Sequence, residues 1–296
     1  MTLTASTLIR VGHSPDPDDA FMFYALAKAK IPLQGFRVEH VIEDIESLNQ
    51  RALKAELEVT AVSCHAYAYL ADQYAVMRSG SSVGDKYGPI LVARSSSSPK
   101  SFVGDPRLKA CGDDKPNILG KKIAVPGKFT TAYLALQLYE KDFEPVFIPF
   151  DRILDAVKSG KTDFGLVIHE GQITYQDHGL EKILDLGQWW DEKFGLPLPL
   201  GIDIIRRDLG EENIRSFSGL FKASIEYALS HRKPALEYAM RYGRGIAETD
   251  ADRFVGMYVN HYTVDLGARG EEGLRLLLSE GYAKGILPRK IELDFV

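Results

Sequence analysis

The stretch KIAVPGKFTTAYLALQLYE, residues 122–140, predicts a buried strand followed by a turn and a helix. Its first four residues form an apolar run that is typical of a buried strand, a Pro-Gly pair then turns the chain, and helical spacing follows from Thr130. The same order of an apolar run, a small or polar residue and a turn or helix recurs at residues 8–12, 59–62 and 164–168. Strands that alternate with helices predict an α/β fold with parallel sheets, in which ligands bind beyond the carboxyl ends of the strands.

The chain consists of two halves with a similar order of predicted elements. Residues 52–65 and 156–169 align without gaps, and each is predicted to contain the end of a helix, a polar turn and a buried strand. Extended segments at 87–94 and 195–201 connect the halves, and helical spacing dominates residues 212–284. The predicted units are a discontinuous first α/β lobe, residues 1–92 and 203–296, and an inserted second α/β lobe, residues 93–202.

Composition and charge exclude several classes of protein. The 296 residues include 36 Lys and Arg against 41 Asp and Glu, a net charge of −5 that argues against a general nucleic-acid binder. Cys64 and Cys111 are too few for a disulfide framework or a cysteine-based zinc site, which favours a reduced, cytoplasmic chain. Arg10 and two prolines interrupt the apolar run that a secretory signal needs, and other apolar runs are only strand-length. We therefore expect neither export nor a membrane span.

The turn PGKFTT, residues 126–131, is a candidate anion site. A helix that begins near Thr130 exposes free backbone amides and the positive end of its dipole, and such a helix end binds carboxylate or phosphate. The hydroxyls of Thr130 and Thr131 and the charge of Lys128 could add to the site. Alternatively, Thr130 only caps its own helix. No GxxxxGK[ST] pattern occurs, which excludes a Walker P-loop.

His169 follows the apolar run at 164–168 and is a candidate general base. A neutral imidazole accepts protons near pH 7, because its ordinary pKa is about 6.5. The alternative is a histidine that is only hydrogen-bonded at the end of a strand. The sequence HEGQI does not match the HExxH zinc motif, so no metal site is predicted here.

The segment SPDPDD, residues 14–19, places three carboxylates directly after the first strand. One interpretation assigns Ser14 and one aspartate to the ligand cleft. The other assigns Asp18 or Asp19 to capping a helix that begins near Ala20. The spacing of a calcium loop is missing, so a metal site has little support.

Ser63 and Cys64 follow the second predicted strand. The hydroxyl of Ser63 could hold an oxygen of a bound carboxylate or cap the following helix, and both interpretations stay open. Neither residue lies in a GxSxG elbow, so nucleophilic triad catalysis is not predicted.

Eight segments together resemble the 1,4-dihydroxy-6-naphthoate synthase family of the futalosine route to menaquinone. They occur in family order from about residue 10 to residue 210 and read GHSPDPDDAFMFYAL, IEDIESLNQRAL, VSCHAYAYL, YGPILVAR, IAVPGKFTTAYLAL, FDRIL, GLVIHEGQITY and GLPLPLGIDIIRRDLG. The resemblance implies a type II periplasmic-binding-protein-like fold, in which two α/β lobes close on a ligand in the cleft between them. This fold agrees with the two lobes that the strand pattern predicts.

The resemblance also implies an activity. The family converts cyclic dehypoxanthinylfutalosine into 1,4-dihydroxy-6-naphthoate and a three-carbon dihydroxyacetone fragment, as a carbon-carbon lyase with no cofactor and no metal. The family's proton-accepting histidine corresponds to His169, which would be the catalytic base. The segments that contact substrate correspond to Ala61, Val62, Ser63, Thr131 and Ala132.

The predicted site residues have separate roles in this scheme. Ser63 and the backbone amides of Thr131 and Ala132 hold the carboxylate of a small-molecule substrate at the helix end that begins at Thr130. Ser14 and Asp19 shape the opposite wall of the cleft. Closure of the lobes excludes water and aligns the substrate.

Two features depart from the family pattern. Some members carry SPCPND where this chain has SPDPDD, so Asp16 and Asp18 have no matching carboxylate there, whereas Asp19 has one. Residues 95–117, rich in Ser, Pro, Gly and Asp, form a predicted exposed loop that is longer than in compact members.

Two other functions stay open from the sequence. A cytosolic solute-binding protein has the same two-lobed fold, and fold alone does not fix function. A chorismate dehydratase of the same pathway is also related in fold. The segments HEGQITY and GLPLPLG favour the synthase. No pattern in the sequence predicts the oligomeric state.

Overall fold

The computed structural model describes residues 6–95, 116–242 and 245–296. The predicted loop at 95–117 therefore lies almost entirely outside the described residues. The strands are β1 (Thr7–His13), β2 (Phe36–Ile42), β3 (Val59–Ser63), β4 (Tyr74–Val76), β5 (Ser82–Gly84), β6 (Ile90–Arg94), β7 (Lys122–Val125), β8 (Glu144–Phe147), β9 (Phe164–Val167), β10 (Leu180–Asp185) and β11 (Leu198–Arg206).

The strands form two sheets. The first has the order β2-β1-β3-β11-β4, with β5 paired to β11, and the second has the order β10-β6-β9-β7-β8. The four strands that the sequence predicts are confirmed, and they form two parallel pairs, β1 with β3 and β7 with β9. β11 in the first sheet and β6 in the second run antiparallel to the strands that they pair with.

The helices follow the strands in the order expected for α/β lobes. They are α1 (Pro17–Met22), α2 (Tyr24–Ala27), α3 (Ile45–Leu53), α4 (Cys64–Tyr67), α5 (Thr131–Tyr139), α6 (Ile153–Lys158), α7 (Gly171–Thr174), α8 (Leu186–Phe194), α9 (Glu211–Ser230), α10 (Arg232–Ala239), α11 (Glu248–Tyr258), α12 (His261–Val264) and α13 (Gly267–Ala283). The helical spacing predicted for residues 212–284 is confirmed. None of the described helices is long and apolar enough to cross a bilayer.

The chain passes from the first sheet to the second between β5 and β6, and it returns between β10 and β11. The lobe limits predicted from the sequence, at 92/93 and 202/203, fall inside β6 and β11. We propose that the chain divides into a discontinuous lobe and an inserted lobe. The limits of the inserted lobe would lie in the segment between β5 and β6 and in the segment between β10 and β11.

Two large apolar clusters hold these elements together. One cluster joins strands of both sheets, with Val62 of β3, Leu91 of β6 and Ile123 of β7 all fully buried. The other lies between the first sheet and helices α1, α2, α9 and α10, and it includes Phe21 and Phe221. A fully buried side chain of this size contributes roughly 1.5–3 kcal/mol. The clusters therefore fix the strand ends on which polar residues sit.

Candidate active site

A cavity lies at the carboxyl ends of β1, β3, β7 and β9. Its empty space, which includes the part open to solvent, is about 700 Å³. The residues that line it include Ser14, Asp16, Asp18, Asp19, Ile45, Ala61, Ser63, Gly80, Thr130, Thr131, Ala132, Ile168, Gly201 and Tyr258. The structure thus brings together the four strand ends at which the sequence places its candidate site.

The turn before α5 forms one end of this cavity. Thr130 is the N-cap residue of α5, and its hydroxyl accepts a hydrogen bond from the Tyr133 amide at 3.3 Å. The Thr131 hydroxyl donates to the Leu200 carbonyl and accepts from the His65 amide. Both hydroxyls therefore already have hydrogen-bond partners within the protein. The amides of Thr131 and Ala132 lie in the first turn, where a helix has no acceptor of its own, so they are the groups that an anion can use.

Ser63 is held at the cavity by a residue that the sequence analysis did not single out. The amide of Asn49, on α3, donates to the Ser63 hydroxyl at 3.3 Å, and its carbonyl accepts from the Ser63 backbone N–H at 2.9 Å. Ser63 makes no side-chain capping bond to α4. Ser63 therefore occupies the N-cap position of α4, as one interpretation predicts, but its hydroxyl bonds to Asn49 and not to the helix. The signal for Asn49 is a polar side chain on the buried face of α3, next to the buried Leu48.

The two residues that precede Ser63 on β3 face different surroundings. Ala61 lines the cavity beside Ser63. Val62 points into the apolar cluster and is fully buried, as strand alternation requires. Any contact between substrate and Val62 would therefore involve its backbone.

The acidic segment after β1 forms the opposite wall. The Ser14 amide donates to Asp19 Oδ2 at 2.8 Å, and the Asp16 amide donates to the Ser14 hydroxyl at 3.1 Å. Helix α1 begins at Pro17, earlier than Ala20, and its N-cap residue Asp16 makes no side-chain capping bond. The prediction that Asp18 or Asp19 caps a helix near Ala20 is therefore wrong, and both lie in its first turn.

Burial changes the acidity of these carboxyl groups. Loss of water around Asp19 raises its pKa to about 6, although the bond from Ser14 works in the opposite direction. Burial, together with the charges of Asp19 and Asp16, raises the pKa of Asp18 well above its ordinary value. This wall of the cavity can therefore hold or release a proton close to neutral pH.

Asp203 is a further carboxyl group that the sequence analysis missed. It lies on β11 opposite Ala61, is fully buried, and has no hydrogen-bond partner for either oxygen among the described residues. Gly80, which lines the cavity, makes room for it, because a Cβ there would lie 2.2 Å from Asp203 Oδ2. Burial and then the charge of Asp19 raise the pKa of Asp203 well above its ordinary value. A lone acid in the apolar run IDII was the available signal.

His169 lies two residues beyond β9 and does not line the cavity, whereas its neighbour Ile168 does. Its Nδ1 accepts from the Gly171 amide at 2.8 Å, so the ring proton is on Nε2, which donates to the Phe150 carbonyl at 2.9 Å. Both ring nitrogens are thus bonded to backbone groups, as in the alternative of a hydrogen-bonded histidine. The ring can reach a substrate only by giving up one of these bonds.

The menaquinone biosynthesis family model matches residues 9–283 of this chain. The chain belongs to the menaquinone biosynthesis family. This membership confirms the resemblance that the eight sequence segments indicate, and it covers both sheets and the cavity between them.

Family relatives and solved structures agree with this assignment. A 1,4-dihydroxy-6-naphthoate synthase of Thermus thermophilus is 40% identical over 278 residues, which are 94% of this chain and 95% of that enzyme. A crystal structure of a protein from Archaeoglobus fulgidus is 48% identical, with a TM-score of 0.86 over 96% of this chain and 100% of that one.

The fold is also that of solute-binding proteins. The alkanesulfonate-binding protein of Xanthomonas axonopodis pv. citri superposes with a TM-score of 0.69 over 97% of this chain and 96% of its own, at 11% identity. At that identity the likeness concerns fold alone. It confirms the periplasmic-binding-protein-like fold expected from the sequence.

Proposed function

We propose that this protein is a 1,4-dihydroxy-6-naphthoate synthase of menaquinone biosynthesis. The observation that carries the proposal is the 40% identity to the Thermus thermophilus synthase across nearly the whole of both chains. The substrate would be cyclic dehypoxanthinylfutalosine, and the products 1,4-dihydroxy-6-naphthoate and a three-carbon dihydroxyacetone fragment. The cytoplasm stays the expected location.

The two walls of the cavity would orient such a substrate. Its carboxylate would bind the amides of Thr131 and Ala132 and the hydroxyl of Ser63, at the positive end of the α5 dipole. The opposite wall carries Asp18 and Asp19, whose carboxyl oxygens can accept hydrogen bonds from hydroxyl groups. The hydroxyl-bearing three-carbon part would therefore lie against the acidic wall.

The chemistry we propose is a carbon-carbon cleavage driven by proton transfer. A base takes a proton from the substrate, and the ring that carries the three-carbon fragment opens. In the retro-aldol step the base takes a hydroxyl proton from the three-carbon part, and the electron pair of that oxygen forms the carbonyl of the released fragment. The electron pair of the breaking carbon-carbon bond passes into the ring system, which takes the proton back from the base as it becomes the aromatic naphthalenediol. A proton-transfer group in such a site contributes about 10²–10⁴ in rate.

His169 is the base that we propose. For this role Nδ1 would exchange the Gly171 amide for the substrate, while the Nε2 bond to Phe150 keeps the ring in its basic tautomer. Asp19 is a second group that can accept a proton near neutral pH, and it already lines the cavity. The pair would let one group take the proton while the other stabilises the charge that develops.

Incubation with cyclic dehypoxanthinylfutalosine, followed by mass and ultraviolet analysis of the products, tests the proposal. Dihydroxynaphthoate is the expected product. Two alternatives predict other results: a chorismate dehydratase would convert chorismate to 3-enolpyruvyl-benzoate, and a solute-binding protein would bind a carboxylate without turnover. The 40% identity to the Thermus thermophilus synthase favours the formation of dihydroxynaphthoate.

A further inference from the structure

A hydrogen bond joins the two halves of the molecule beside the cavity. Tyr258, at the end of α11, lines the cavity and donates its hydroxyl proton to Gln172 Oε1 at 2.8 Å. Gln172 lies on α7, which follows the second-sheet strand β9, whereas α11 packs on α1 and β5 beside the first sheet. The bond therefore spans the cleft between the two sheets.

Both partners are committed to this bond. Tyr258 is only 3% exposed and packs edge-to-face against Phe254 and Tyr87, so its ring has a fixed position. Burial raises the pKa of its hydroxyl well above the ordinary value, which keeps the hydroxyl a donor. The Nε2 of Gln172 is buried with no partner among the described residues, so Tyr258 is the group that holds this amide.

Gln172 is in turn bonded to the turn that carries the proposed base. Its backbone N–H donates to the His169 carbonyl at 2.8 Å, and the preceding residue, Gly171, donates to His169 Nδ1 at 2.8 Å. A displacement of Gln172 would move both contacts. Loss of the Tyr258 bond would also leave a buried amide with no partner, which disfavours the present position of Gln172.

We propose that Tyr258 is a positioning residue: through Gln172, whose backbone N–H holds the His169 carbonyl, it fixes the main chain at His169 beside the cavity when the two halves are closed. From this position the His169 ring exchanges its Gly171 contact for the substrate. The inference rests on the proposed function, because it assigns a role relative to the base of that reaction. The donor, Tyr258, and the acceptor, Gln172, belong to different halves of the molecule. Closure of the halves would therefore also set the position of the base.

Steady-state kinetics of Tyr258→Phe with cyclic dehypoxanthinylfutalosine test this role. The variant keeps the ring that lines the cavity, so KM should stay within about twofold of the wild-type value, whereas kcat should fall about tenfold, the effect of one buried hydrogen bond. Gln172→Met removes the acceptor from the other side and should lower kcat equally. The double variant should lose no more than either single one, because all three remove the same bond.

Tyr67→Phe is the matched control. It also removes a buried tyrosine hydroxyl, which donates to the Tyr74 carbonyl at 3.1 Å away from the cavity. It should lower the melting temperature and leave kcat unchanged. Melting temperatures of all variants separate lost folding from lost positioning.

Three results would overturn the inference: an unchanged kcat in Tyr258→Phe, a rise in KM without a fall in kcat, or additive losses in the double variant. The rise in KM would make Tyr258 a substrate contact, and additive losses would make the two residues independent. An inactive wild-type protein would instead contradict the proposed function, which keeps the two failures distinct.

Discussion

Glu46 Oε2 accepts a hydrogen bond from the backbone N–H of Phe129 at 3.2 Å. The contact joins α3, beside the first sheet, to the turn that precedes α5 in the second. It holds the amide-rich end of α5 against the cavity wall that carries Ser63. Gly127 makes the contact possible, because a Cβ at this position would lie 2.5 Å from the same Glu46 oxygen.

Gly127→Ala should therefore weaken substrate binding. The added methyl group displaces the Glu46 carboxylate, and the turn that presents the anion site loses its anchor. We expect KM to rise about tenfold, the value of one charge-assisted hydrogen bond, with a smaller change in kcat. Gly219→Ala is the control, because a Cβ there meets nothing within 4 Å and helix α9 tolerates alanine. Equal kinetics for the two variants would contradict the role of this contact.

His169→Ala should abolish most of the turnover. Removal of a general base lowers kcat about 10²–10⁴-fold, whereas the carboxylate contacts at α5 remain and should keep the dissociation constant close to the wild-type value. Single-turnover product formation and equilibrium binding measure the two effects separately. His178→Ala, at a surface turn that does not line the cavity, is the control. A kcat near the wild-type value would assign the base role elsewhere, with Asp19 as the next candidate.

Asp203→Asn should change how stability depends on pH. Burial raises the pKa of this carboxyl, so the folded protein keeps a proton that the unfolded chain releases above about pH 4. The free energy of unfolding therefore decreases as the pH rises above that value, by up to about 1.4 kcal/mol per pH unit from this group. The variant lacks this loss, so its stability relative to the wild type should improve from pH 4 towards neutrality.

Urea unfolding at a series of pH values measures this difference. Asp177→Asn, which removes a carboxyl group at an exposed position, is the control. A difference between Asp203→Asn and the wild type that does not change with pH would contradict the raised pKa of Asp203.

Two buried histidines should destabilise the protein in acid. Burial lowers the pKa of His13 to about 3 and that of His40 to about 4, and the two rings lie 5.3 Å apart, centroid to centroid. The unfolded chain binds protons at these positions below about pH 6.5, whereas the folded protein does not. The free energy of unfolding should therefore fall as the pH drops from 6.5 towards 4.

His40→Phe tests this assignment, since it keeps an aromatic ring against His13 and Phe23. Its unfolding free energy should decline less steeply below pH 6.5 than that of the wild type. The same slope in both proteins would place the acid sensitivity in other groups.

The sequence predicts the elements of this fold well, because their signals are local. Each of the four apolar runs is short and continuous and ends in a small or polar residue, so the sequence predicts the strand ends and a start of α5 near Thr130. The start of α1 was misplaced although Pro17 is a typical first helical residue. The three carboxylates beside Pro17 are also typical helix caps, so the sequence signals for the start of this helix conflict.

The contacts within the site were less predictable, because they join distant segments. The Phe150 carbonyl that binds His169 lies 19 residues away, and Asn49 lies 14 residues from Ser63. Backbone geometry decides the first contact, and no residue type signals it. Asp203 was missed because a single acid inside an apolar strand can only be interpreted once its neighbours in space are known.

Product formation by the purified wild-type protein is the most direct test of the proposed synthase activity. The protein is incubated separately with cyclic dehypoxanthinylfutalosine and with chorismate, without added metal or cofactor, and the products are followed by mass and ultraviolet absorbance. We expect 1,4-dihydroxy-6-naphthoate from the first substrate and no product from the second. Conversion of chorismate alone, or binding of either compound without turnover, would contradict it.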